Sequence, residues 1–273
     1  MRTILIATDF SDASRNASYY GLALAKEIGA NVCLFNSYKL PTPAAGLGVT
    51  VSGYDAKMQT DAKLLEEAVK LDLGNKNIQI ISDEGNAGEA IIKLANEKKF
   101  DFIITGMKGV GKSLKKIFGS TATSLAKHTN LPLIIVPEDA IYTTPEKVVF
   151  ASDTPVTDYA VPAQLTSILT LFRSKLYVVK VVKDGNEERV AIPGSVQKEK
   201  VSAAGNEVSF QVKEGTDIRH ALSDFIREQY ADMLVMMPHK HDWTERLFKK
   251  SETANMIFHT KIPLLILPDI PST

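Results

Sequence analysis

Residues 106–120, GMKGVGKSLKKIFGS, fit two phosphate-binding patterns that imply different folds and different contact residues. One pattern consists of Gly106, Gly109 and the pair Gly119-Ser120, with two and then nine residues between them. The other is the P-loop pattern, which starts at the same Gly106 and ends in Gly111-Lys112-Ser113. Both patterns predict a bound nucleotide, so the sequence around them must decide which fold is present.

The P-loop interpretation requires a strand before the glycines and a substantial helix after them. Its backbone N–H groups would surround the phosphates, Lys112 would reach the outer phosphates and Ser113 would hold Mg²⁺. Residues 101–105, DFIIT, supply the strand. The helix would cover only 112–118, about two turns, because Gly119 ends it. The P-loop is therefore the weaker interpretation, and it remains the alternative.

The two halves of the chain repeat each other. Residues 3–9, TILIATD, match 147–153, KVVFASD, and residues 128–137, HTNLPLIIVP, match 259–268, HTKIPLLILP. A repeat of more than a hundred residues indicates duplicated domains and not a solenoid. We predict domains at 1–138 and 147–273, joined by a linker at 139–146.

Each copy alternates short apolar runs with amphipathic stretches, which is typical of parallel strands joined by helices. In the first copy the strands are predicted at 3–8, 31–37, 77–82, 101–106 and 132–136. The helices are predicted at 12–29, 55–73, 87–98 and 120–129. The sequence thus predicts two tandem Rossmann-like α/β domains, each an open five-stranded parallel sheet with helices on both faces. Between the second and third strands, the second copy shows only a charged stretch near 184–206.

The first pattern predicts an anion site at the carboxyl edge of the first sheet. Ligands of such sheets bind there, and Asp9 and Gly106 both end strands. Gly106 and Gly109 are expected to form a turn that brings backbone close to a ligand. Ser120 is expected to be the N-cap of the next helix, whose first N–H groups and dipole attract anions.

Composition excludes several classes of protein. The 273 residues carry 32 basic and 32 acidic side chains, so neither a nucleic-acid partner nor an anionic membrane is expected. The single cysteine, Cys33, lies in an apolar run, and one cysteine makes no internal disulfide. The amino-terminal apolar run is too short for a signal peptide or a membrane span. We therefore expect a cytoplasmic protein.

These motifs resemble the universal stress protein family, in its tandem form with two such domains in one chain. The first copy has the signature of the family's ATP-binding branch, G-x₂-G-x₉-G-[ST], as Gly106, Gly109 and Gly119-Ser120. Thr8-Asp9 and Pro132–Pro137 match the family's opening and closing strands. The resemblance implies Rossmann-like domains of the adenine nucleotide α-hydrolase-like type and a role in stress survival through ATP binding.

The resemblance also implies the roles of individual residues. Thr8 and Asp9 would contact the adenosine, with Asp9 near the ribose, and Ser37 would line the adenine pocket. The remaining implied contacts, to the ribose and the phosphates, are Gly106, Met107, Gly109, Gly119, Ser120 and Thr121. The ligand would be ATP, with or without Mg²⁺.

The second copy departs from the signature. Aligned without gaps from Pro263 backwards, Met237, Lys240 and Lys250 replace the three glycines, and only Ser251 is kept. Because side chains at those positions block close approach of backbone to a ligand, we predict no ATP in the second domain. His239 and His241 could bind a metal together with Asp153 or Asp242, but the spacing fixes no third ligand. We therefore interpret them as part of a polar surface loop and predict no metal site.

Three functions remain open at this point. The leading one is an ATP-binding regulatory protein with one site, in the first domain, and without enzymatic activity. The alternatives are a slow ATPase or phosphotransferase that uses Gly106–Ser113 as a P-loop, and a scaffold without a physiological nucleotide. A protein partner of unknown identity is expected, and so is pairing of the two domains through 132–136 and 264–267. A homodimer is a further possibility.

Overall fold

The computed structural model describes residues 1–40, 52–71, 78–107, 119–152, 161–182, 200–203, 205–215, 218–237 and 262–268. These residues form two compact units, which divide after Tyr142. The division lies inside the segment predicted as the linker, 139–146. The pairing of the two domains through their closing strands stays a prediction.

The first unit consists of five strands and four helices within the described residues. The strands are β1 (Thr3–Ala7), β2 (Asn31–Tyr38), β3 (Ile78–Glu84), β4 (Phe102–Met107) and β5 (Leu133–Pro137). The helices are α1 (Asp12–Ile28), α2 (Gly53–Leu71), α3 (Ala87–Glu97) and α4 (Ser120–His128). All nine predicted elements are confirmed, with ends that differ from the predicted ones by at most two residues.

The first sheet is parallel throughout, in the order β3-β2-β1-β4-β5. Its central strand β1 aligns Ile6 with Leu34 of β2 on one side and with Ile104 of β4 on the other. These three side chains are fully buried, as expected for strands that are covered on both faces. Right-handed crossovers place α1 and α2 on one face and α3 and α4 on the other, because the chain reverses direction across the sheet after β3.

The chain after β5 packs on helix α1 of the same unit. The side chain of Asn16 donates hydrogen bonds to the carbonyl oxygens of Pro137 and Ala140, both at 2.9 Å. Tyr142 packs edge-on against Tyr20, with ring centroids 4.9 Å apart, and its hydroxyl donates to Glu27 at 2.6 Å. The first residues of the predicted linker are therefore fixed to the first unit.

The second unit repeats this plan with one addition. Its strands are β6 (Lys147–Ala151), β7 (Lys175–Val182), β8 (Lys200–Ala203), β9 (Asn206–Glu214), β10 (Met233–Met236) and β11 (Leu264–Ile266), and its described helices are α5 (Ala163–Phe172) and α6 (Ile218–Gln229). Within this unit the order is β11-β10-β6-β7-β9-β8, and all pairs are parallel except β8 with β9.

Strand β8 is an element that the sequence analysis missed, because the region 184–206 was interpreted only as a charged stretch. Two residues separate β8 from β9, and the second of them, Gly205, has φ +86°. Such a positive φ is typical of a two-residue hairpin turn. The signal in the sequence was therefore the glycine between two short runs that contain valine.

No described helix in either unit is long and apolar enough to cross a membrane.

In each unit the first helix among the described residues ends in the same way, but with different residues. Helix α1 ends at Gly29 with φ +64°, and α5 ends at Arg173 with φ +55°. Arg173 follows Gly29 by 144 residues, the same separation as between Asp153 and Asp9. This left-handed conformation costs a side-chain-bearing residue about 1 kcal/mol relative to glycine.

Arg173→Gly is expected to raise the free energy of unfolding of the second unit by about 0.5–1 kcal/mol, since glycine removes the strain of the left-handed helix end. Arg173 is exposed, so little packing is lost. The matched control is Gly29→Ala in the first unit. A Cβ at Gly29 meets no atom within 4 Å, so this change adds backbone strain alone and should be destabilising. Urea denaturation of the full chain measures both, and a loss of stability in Arg173→Gly would contradict the prediction.

Candidate functional site

A cleft of about 220 Å³ opens at the carboxyl edge of the first sheet. Its floor is formed by the ends of three strands and its walls by the starts of three helices. The lining residues are Ala7, Thr8, Asp9, Ser11, Ala13, Ser14, Phe35, Asn36, Ser37, Ala87, Ile91, Thr105, Gly106, Gly119, Thr121 and Ala122. The first and fourth strands are neighbours, with Ala7 opposite Thr105, so the cleft lies at the switch point of the sheet.

A wider and shallower depression of about 500 Å³ lies at the opposite edge of the same sheet. It is lined by the beginnings of β1, β2 and β3, including Thr3, Asn31 and Ile78. Parallel connections bring the carboxyl ends of the helices to that edge, and their partial negative charge disfavours an anion. The carboxyl edge, where helices begin, is therefore the site that suits a phosphate.

Thr8 connects the ends of β1 and β2 and the start of α1 at the floor of the cleft through hydrogen bonds. Its backbone N–H donates to the carbonyl of Phe35 at 2.9 Å, and its carbonyl accepts from the side-chain amide of Asn36 at 2.6 Å. Its hydroxyl accepts from the backbone N–H of Phe10 at 3.1 Å and lies 3.2 Å from the hydroxyl of Ser14. Thr8 is buried, so in this structure its side chain organises the strand end.

Asp9 stands at the mouth of the cleft and closes a tight turn. Its Oδ1 accepts from the backbone N–H of Ser11 at 3.1 Å and from the hydroxyl of Ser11 at 2.5 Å. Partial burial raises the pKa of Asp9, but these hydrogen bonds and that of Ser14 outweigh the burial and hold the pKa below its ordinary value. Asp9 is therefore a carboxylate at neutral pH, able to accept hydrogen bonds from hydroxyl groups of a ligand.

Phe10 has φ +66°, a conformation that a bulky side chain rarely adopts. This outlier lies between the end of β1 and Ser11, the N-cap of α1. Strained backbone of this kind persists only where neighbouring groups fix it. Here the guanidinium of Arg15 donates to the Phe10 carbonyl at 3.3 Å.

Arg15 connects this turn to helix α2. Its Nε donates to Glu67 at 3.1 Å and its Nη1 to Asp12 at 2.9 Å. Glu67 is only 4% exposed, whereas the Arg15 side chain is 36% exposed. The buried carboxylate thus holds Arg15 in position, and Arg15 holds the strained turn at the cleft.

Arg15→Met is expected to lower the free energy of unfolding by about 1–3 kcal/mol, because it leaves the buried Glu67 carboxylate without its cation. The estimate is reduced because Arg15 is partly exposed to solvent. Urea denaturation measures the loss. The matched control, Arg15→Met with Glu67→Leu, removes both charges and should recover most of it. A double variant that is no more stable than Arg15→Met would contradict the prediction.

Gly106 lies inside strand β4, opposite Val136 of β5, and not in a turn as predicted. A Cβ on Gly106 would come within 2.5 Å of the Ala13 carbonyl oxygen and 2.9 Å of the Ser14 nitrogen, both in the backbone of α1. The glycine is therefore required because the first turn of α1 packs directly on the strand. It still lines the cleft, as predicted.

The start of helix α4 forms the opposite wall. Gly119, and not Ser120 as predicted, is its N-cap, with extended backbone and no side-chain capping hydrogen bond. Ser120 is the first helical residue, so its hydroxyl does not cap the helix. The first backbone hydrogen bond of the helix runs from the Thr123 N–H to the Gly119 carbonyl. The N–H groups of the preceding turn therefore have no intrahelical partner, and they are available to an anion.

The predicted site residues divide into three groups. Thr8, Asp9, Ser37, Gly106, Gly119 and Thr121 line the cleft together. Met107 and Ser120 do not line it, and the Met107 side chain is buried. Gly109 lies outside the described residues, as do Lys112 and Ser113 of the P-loop pattern.

Sequence reasoning missed the residues that shape the cleft without matching a signature. Asn36, Ser11 and Ser14 are the main examples. A signal for the serines was present, since a serine two residues after a strand-ending aspartate is a common N-cap. Asn36 is the first polar residue after the apolar run 32–35 and directly precedes Ser37. This position near the carboxyl end of β2 was the signal that it lines the cleft.

The corresponding edge of the second unit is built differently. The pairing of Ala151 with Met236 matches that of Ala7 with Thr105, so Met237 occupies the position of Gly106. Helix α5 begins seven residues later than α1 when the two are aligned by their left-handed ends, after Pro162. The counterparts of Ala13 and Ser14, Thr157 and Asp158, lie outside the described residues. The second-unit residues at the other signature positions, and His239 and His241, lie outside the described residues.

The sequence model of the universal stress protein family matches residues 1–137 and 147–268. The chain belongs to the universal stress protein family, with two of its domains in tandem. Universal stress protein Slr1230 of Synechocystis is 24% identical over 97% of this chain and 99% of its own length. Stress response protein NhaX of Bacillus subtilis is 25% identical and spans 49% of this chain and 96% of its own.

A solved structure supports the fold of this universal stress protein. The crystal structure of a universal stress protein from Archaeoglobus fulgidus covers 97% of this chain and 98% of its own, with a TM-score of 0.69 and 20% identity. At this identity the likeness shows the fold alone.

Proposed function

We propose that this universal stress protein binds one adenine nucleotide, ATP, in the cleft of its first domain and acts as a regulator without catalytic turnover. The observation that supports this proposal best is the open start of helix α4. Gly119 has no capping side chain there, and a Cβ on it would meet no atom within 4 Å. Free backbone N–H groups beside such open space suit a phosphate.

The proposed ligand would run across the switch point. Its ribose hydroxyls would donate to the Asp9 carboxylate, and its base would lie over the end of β2, near Asn36 and Ser37. The phosphates would lie at the first turn of α4, beside Gly119 and Thr121. This direction places the anionic end at the positive end of a helix dipole and the hydroxyl groups at the carboxylate.

The small number of acidic residues in the cleft favours a regulatory role over ATP hydrolysis. Among the described residues that line it, Asp9 is the only acidic one. Hydrolysis of ATP requires a group that positions the attacking water and ligands for Mg²⁺. Asp9 already accepts two hydrogen bonds from Ser11. We therefore propose that a protein partner binds the nucleotide-bound and nucleotide-free forms with different affinity.

The difference between the domains supports the proposal of one site per chain. The first has glycine at the strand end where α1 begins, and the second has Met237 there and a later helix start. In the first domain the start of α1 packs directly on the end of β4, and both elements line the cleft. The second domain is proposed to serve a structural or partner-binding role.

The test is titration of the full chain with ATP by isothermal calorimetry, together with mass spectrometry of small molecules released by denaturing the protein as purified. We expect one ATP per chain and an adenine nucleotide in the released fraction. Two equivalents per chain would overturn the single-site proposal, and no binding up to about 1 mM, where affinity is only about 4 kcal/mol, would overturn ATP binding. Turnover faster than about 1 s⁻¹, the lower end of typical enzymes, would show that the protein is an enzyme.

A further inference from the structure

The left-handed residue Phe10 controls the direction of the Asp9 carboxylate. Oδ1 of Asp9 accepts two hydrogen bonds from Ser11, one from the backbone N–H and one from the hydroxyl. Phe10 lies between these two residues, so its φ of +66° decides where Ser11 stands relative to the carboxylate. A change in the backbone of Phe10 would therefore turn the carboxylate at the mouth of the cleft.

The conformation of Phe10 has one local restraint and one restraint from helix α1. A bulky side chain disfavours the left-handed region, so the conformation persists only where other groups hold it. The Phe10 N–H donates to the hydroxyl of Thr8, two residues away, at 3.1 Å. The Phe10 carbonyl accepts from Nη2 of Arg15 at 3.3 Å. This second restraint is only as firm as the position of the Arg15 guanidinium.

Glu67 on α2 is the acceptor that fixes the Arg15 guanidinium. Each nitrogen donates to a different group, Nη2 to Phe10, Nη1 to Asp12 and Nε to Glu67. The Asp12 side chain is 88% exposed, and an exposed ion pair contributes little. Glu67 is buried, and a buried carboxylate that loses its cation is costly, so this pair persists. Glu67 thus holds Arg15, and Arg15 holds Phe10.

We propose that Arg15 and Glu67 are positioning residues that set the selectivity of the first domain for the ribose hydroxyls of its nucleotide. Neither residue lines the cleft, and both act through Phe10 on the Asp9 carboxylate. This role rests on the proposed function, because Asp9 is the proposed acceptor of those hydroxyl groups. The consequence is a preference for ribonucleotides over nucleotides that lack the 2′ and 3′ hydroxyl groups.

The phosphates should not depend on this pair of residues. Their proposed site is the first turn of α4, beside Gly119, and α4 lies on the face of the sheet opposite α1 and α2. The hydrogen bonds of Arg15 go to Phe10, Asp12 and Glu67, and none of them reaches α4. A change at Arg15 should therefore alter the preference for ribose hydroxyls and leave the phosphate contacts as they are.

The second copy keeps the acid without this arginine in its sequence. Asp153 follows Asp9 by 144 residues, and at the same separation Tyr159 replaces Arg15. A tyrosine hydroxyl has a single proton to donate, whereas a guanidinium has five N–H donors in a fixed plane. A tyrosine therefore does not bridge a carbonyl and a buried carboxylate as Arg15 does. This difference supports the proposal of one nucleotide site per chain.

Isothermal calorimetry of the full chain with ATP and with 2′,3′-dideoxy-ATP tests the positioning role. Both ligands have the same base and phosphates, so the ratio of their dissociation constants measures the ribose hydroxyl contacts. We expect the wild type to bind ATP at least about tenfold more tightly than the analogue. In Arg15→Met with Glu67→Leu, the variant expected above to recover stability, the ratio should fall below about threefold. The loss should lie in the affinity for ATP, with the affinity for the analogue unchanged.

Two single variants separate the partners of Arg15. Glu67→Leu keeps Arg15 but frees its guanidinium, so the ratio should again fall below about threefold. The matched control is Asp12→Asn, which removes only the exposed partner and should leave the ratio within about twofold of the wild type. Both ligands have the same charge, so the loss of one negative charge near the cleft cancels in the ratio. Circular dichroism checks that each variant is folded.

The outcomes distinguish the positioning role from the proposed function. Equal weakening of both ligands in the double variant would show that Arg15 and Glu67 only support the fold, and would overturn their positioning role. So would a wild-type ratio that persists in Glu67→Leu. A wild type that binds ATP and the analogue equally would overturn the ribose contact of Asp9, and the positioning role with it, but not ATP binding. A wild type that binds neither ligand would overturn the proposed function itself.

Discussion

Gly119→Val is expected to abolish ATP binding, lowering affinity at least about 100-fold, or about 2.7 kcal/mol, while the free energy of unfolding falls by no more than about 1 kcal/mol because valine is a poorer N-cap than glycine. The side chain would occupy the open space beside the first turn of α4, where the phosphates are proposed to lie. Beyond this weaker cap, the structure gives no reason for a folding defect. The residue has φ −62° and ψ 158°, which valine adopts readily, and a Cβ there meets no atom within 4 Å.

The comparison with Lys112→Ala decides between the two patterns in 106–120. If the nucleotide lies on the start of α4, losing one lysine should cost less than about fivefold in affinity, because a lysine that does not hold the phosphates directly contributes at most about 1 kcal/mol. If the stretch were a P-loop, Lys112 would contact the outer phosphates and its loss would be the larger defect. Calorimetric titration of both variants with ATP measures the difference. Loss of binding only in Lys112→Ala would contradict the proposed site and favour the P-loop.

A second variant separates binding from folding at the same position. Gly119→Ser places a hydroxyl at the N-cap of α4, which should raise stability by a few tenths of a kcal/mol. The same hydroxyl would accept a hydrogen bond from the N–H groups that are proposed to hold phosphate. We therefore expect slightly higher thermal stability together with weaker ATP binding. Equal or stronger binding in Gly119→Ser would argue against phosphate at this helix.

The strands and helices of the first domain could be predicted because each has a local cause. Parallel strands that are buried on both faces have continuous apolar sequences. Residues 3–7 and 133–136 are such short apolar runs, and both form strands. Helix α1 begins at a serine cap and ends at Gly29, and both signals are short-range. Strand β8 had only the weak local signal of Gly205, and its four residues are recognised as a strand chiefly by their pairing with β9.

The site was predictable in its composition but not in the roles of its residues. A glycine signature does not tell whether the space beside the missing Cβ is needed by a ligand or by another part of the chain. For Gly119 the space is open, and for Gly106 it is filled by the backbone of α1. The conformation of Phe10 was not predictable at all, because its left-handed backbone is held by Arg15, and Arg15 is itself positioned by Glu67, which is distant in the sequence.

Gly106→Ala is expected to lower the free energy of unfolding of the first domain by about 1–3 kcal/mol, the cost of overpacking a close contact. The added Cβ would lie 2.5 Å from the Ala13 carbonyl oxygen and 2.7 Å from its carbon. These are backbone atoms of the first turn of α1, so the helix start must move away from the strand. Since Ser11 and Ser14 hold the Asp9 turn from that helix end, ATP binding should weaken as well.

Gly21→Ala is the matched control, because it brings a Cβ equally close to a different kind of atom. Its nearest neighbour, also at 2.5 Å, is Cδ1 at the end of the Ile6 side chain, which can shift by rotation. Gly21 also lies inside α1, where alanine is favoured over glycine by about 1 kcal/mol. We expect Gly21→Ala to change stability by less than about 1 kcal/mol, as these two effects oppose each other.

Amide hydrogen exchange shows which part of Gly106→Ala is destabilised, which the free energy of unfolding alone does not show. In Gly106→Ala, the amides of the first turns of α1, residues 12–18, should exchange faster than in the wild type, while those of α3 should not change. Faster exchange confined to this helix start would show that the glycine exists to let α1 reach the strand. Equal stability losses in Gly106→Ala and Gly21→Ala, with no local change in exchange, would show that the strand tolerates a side chain. Met237 in place of Gly106 would then not explain why α5 begins later than α1.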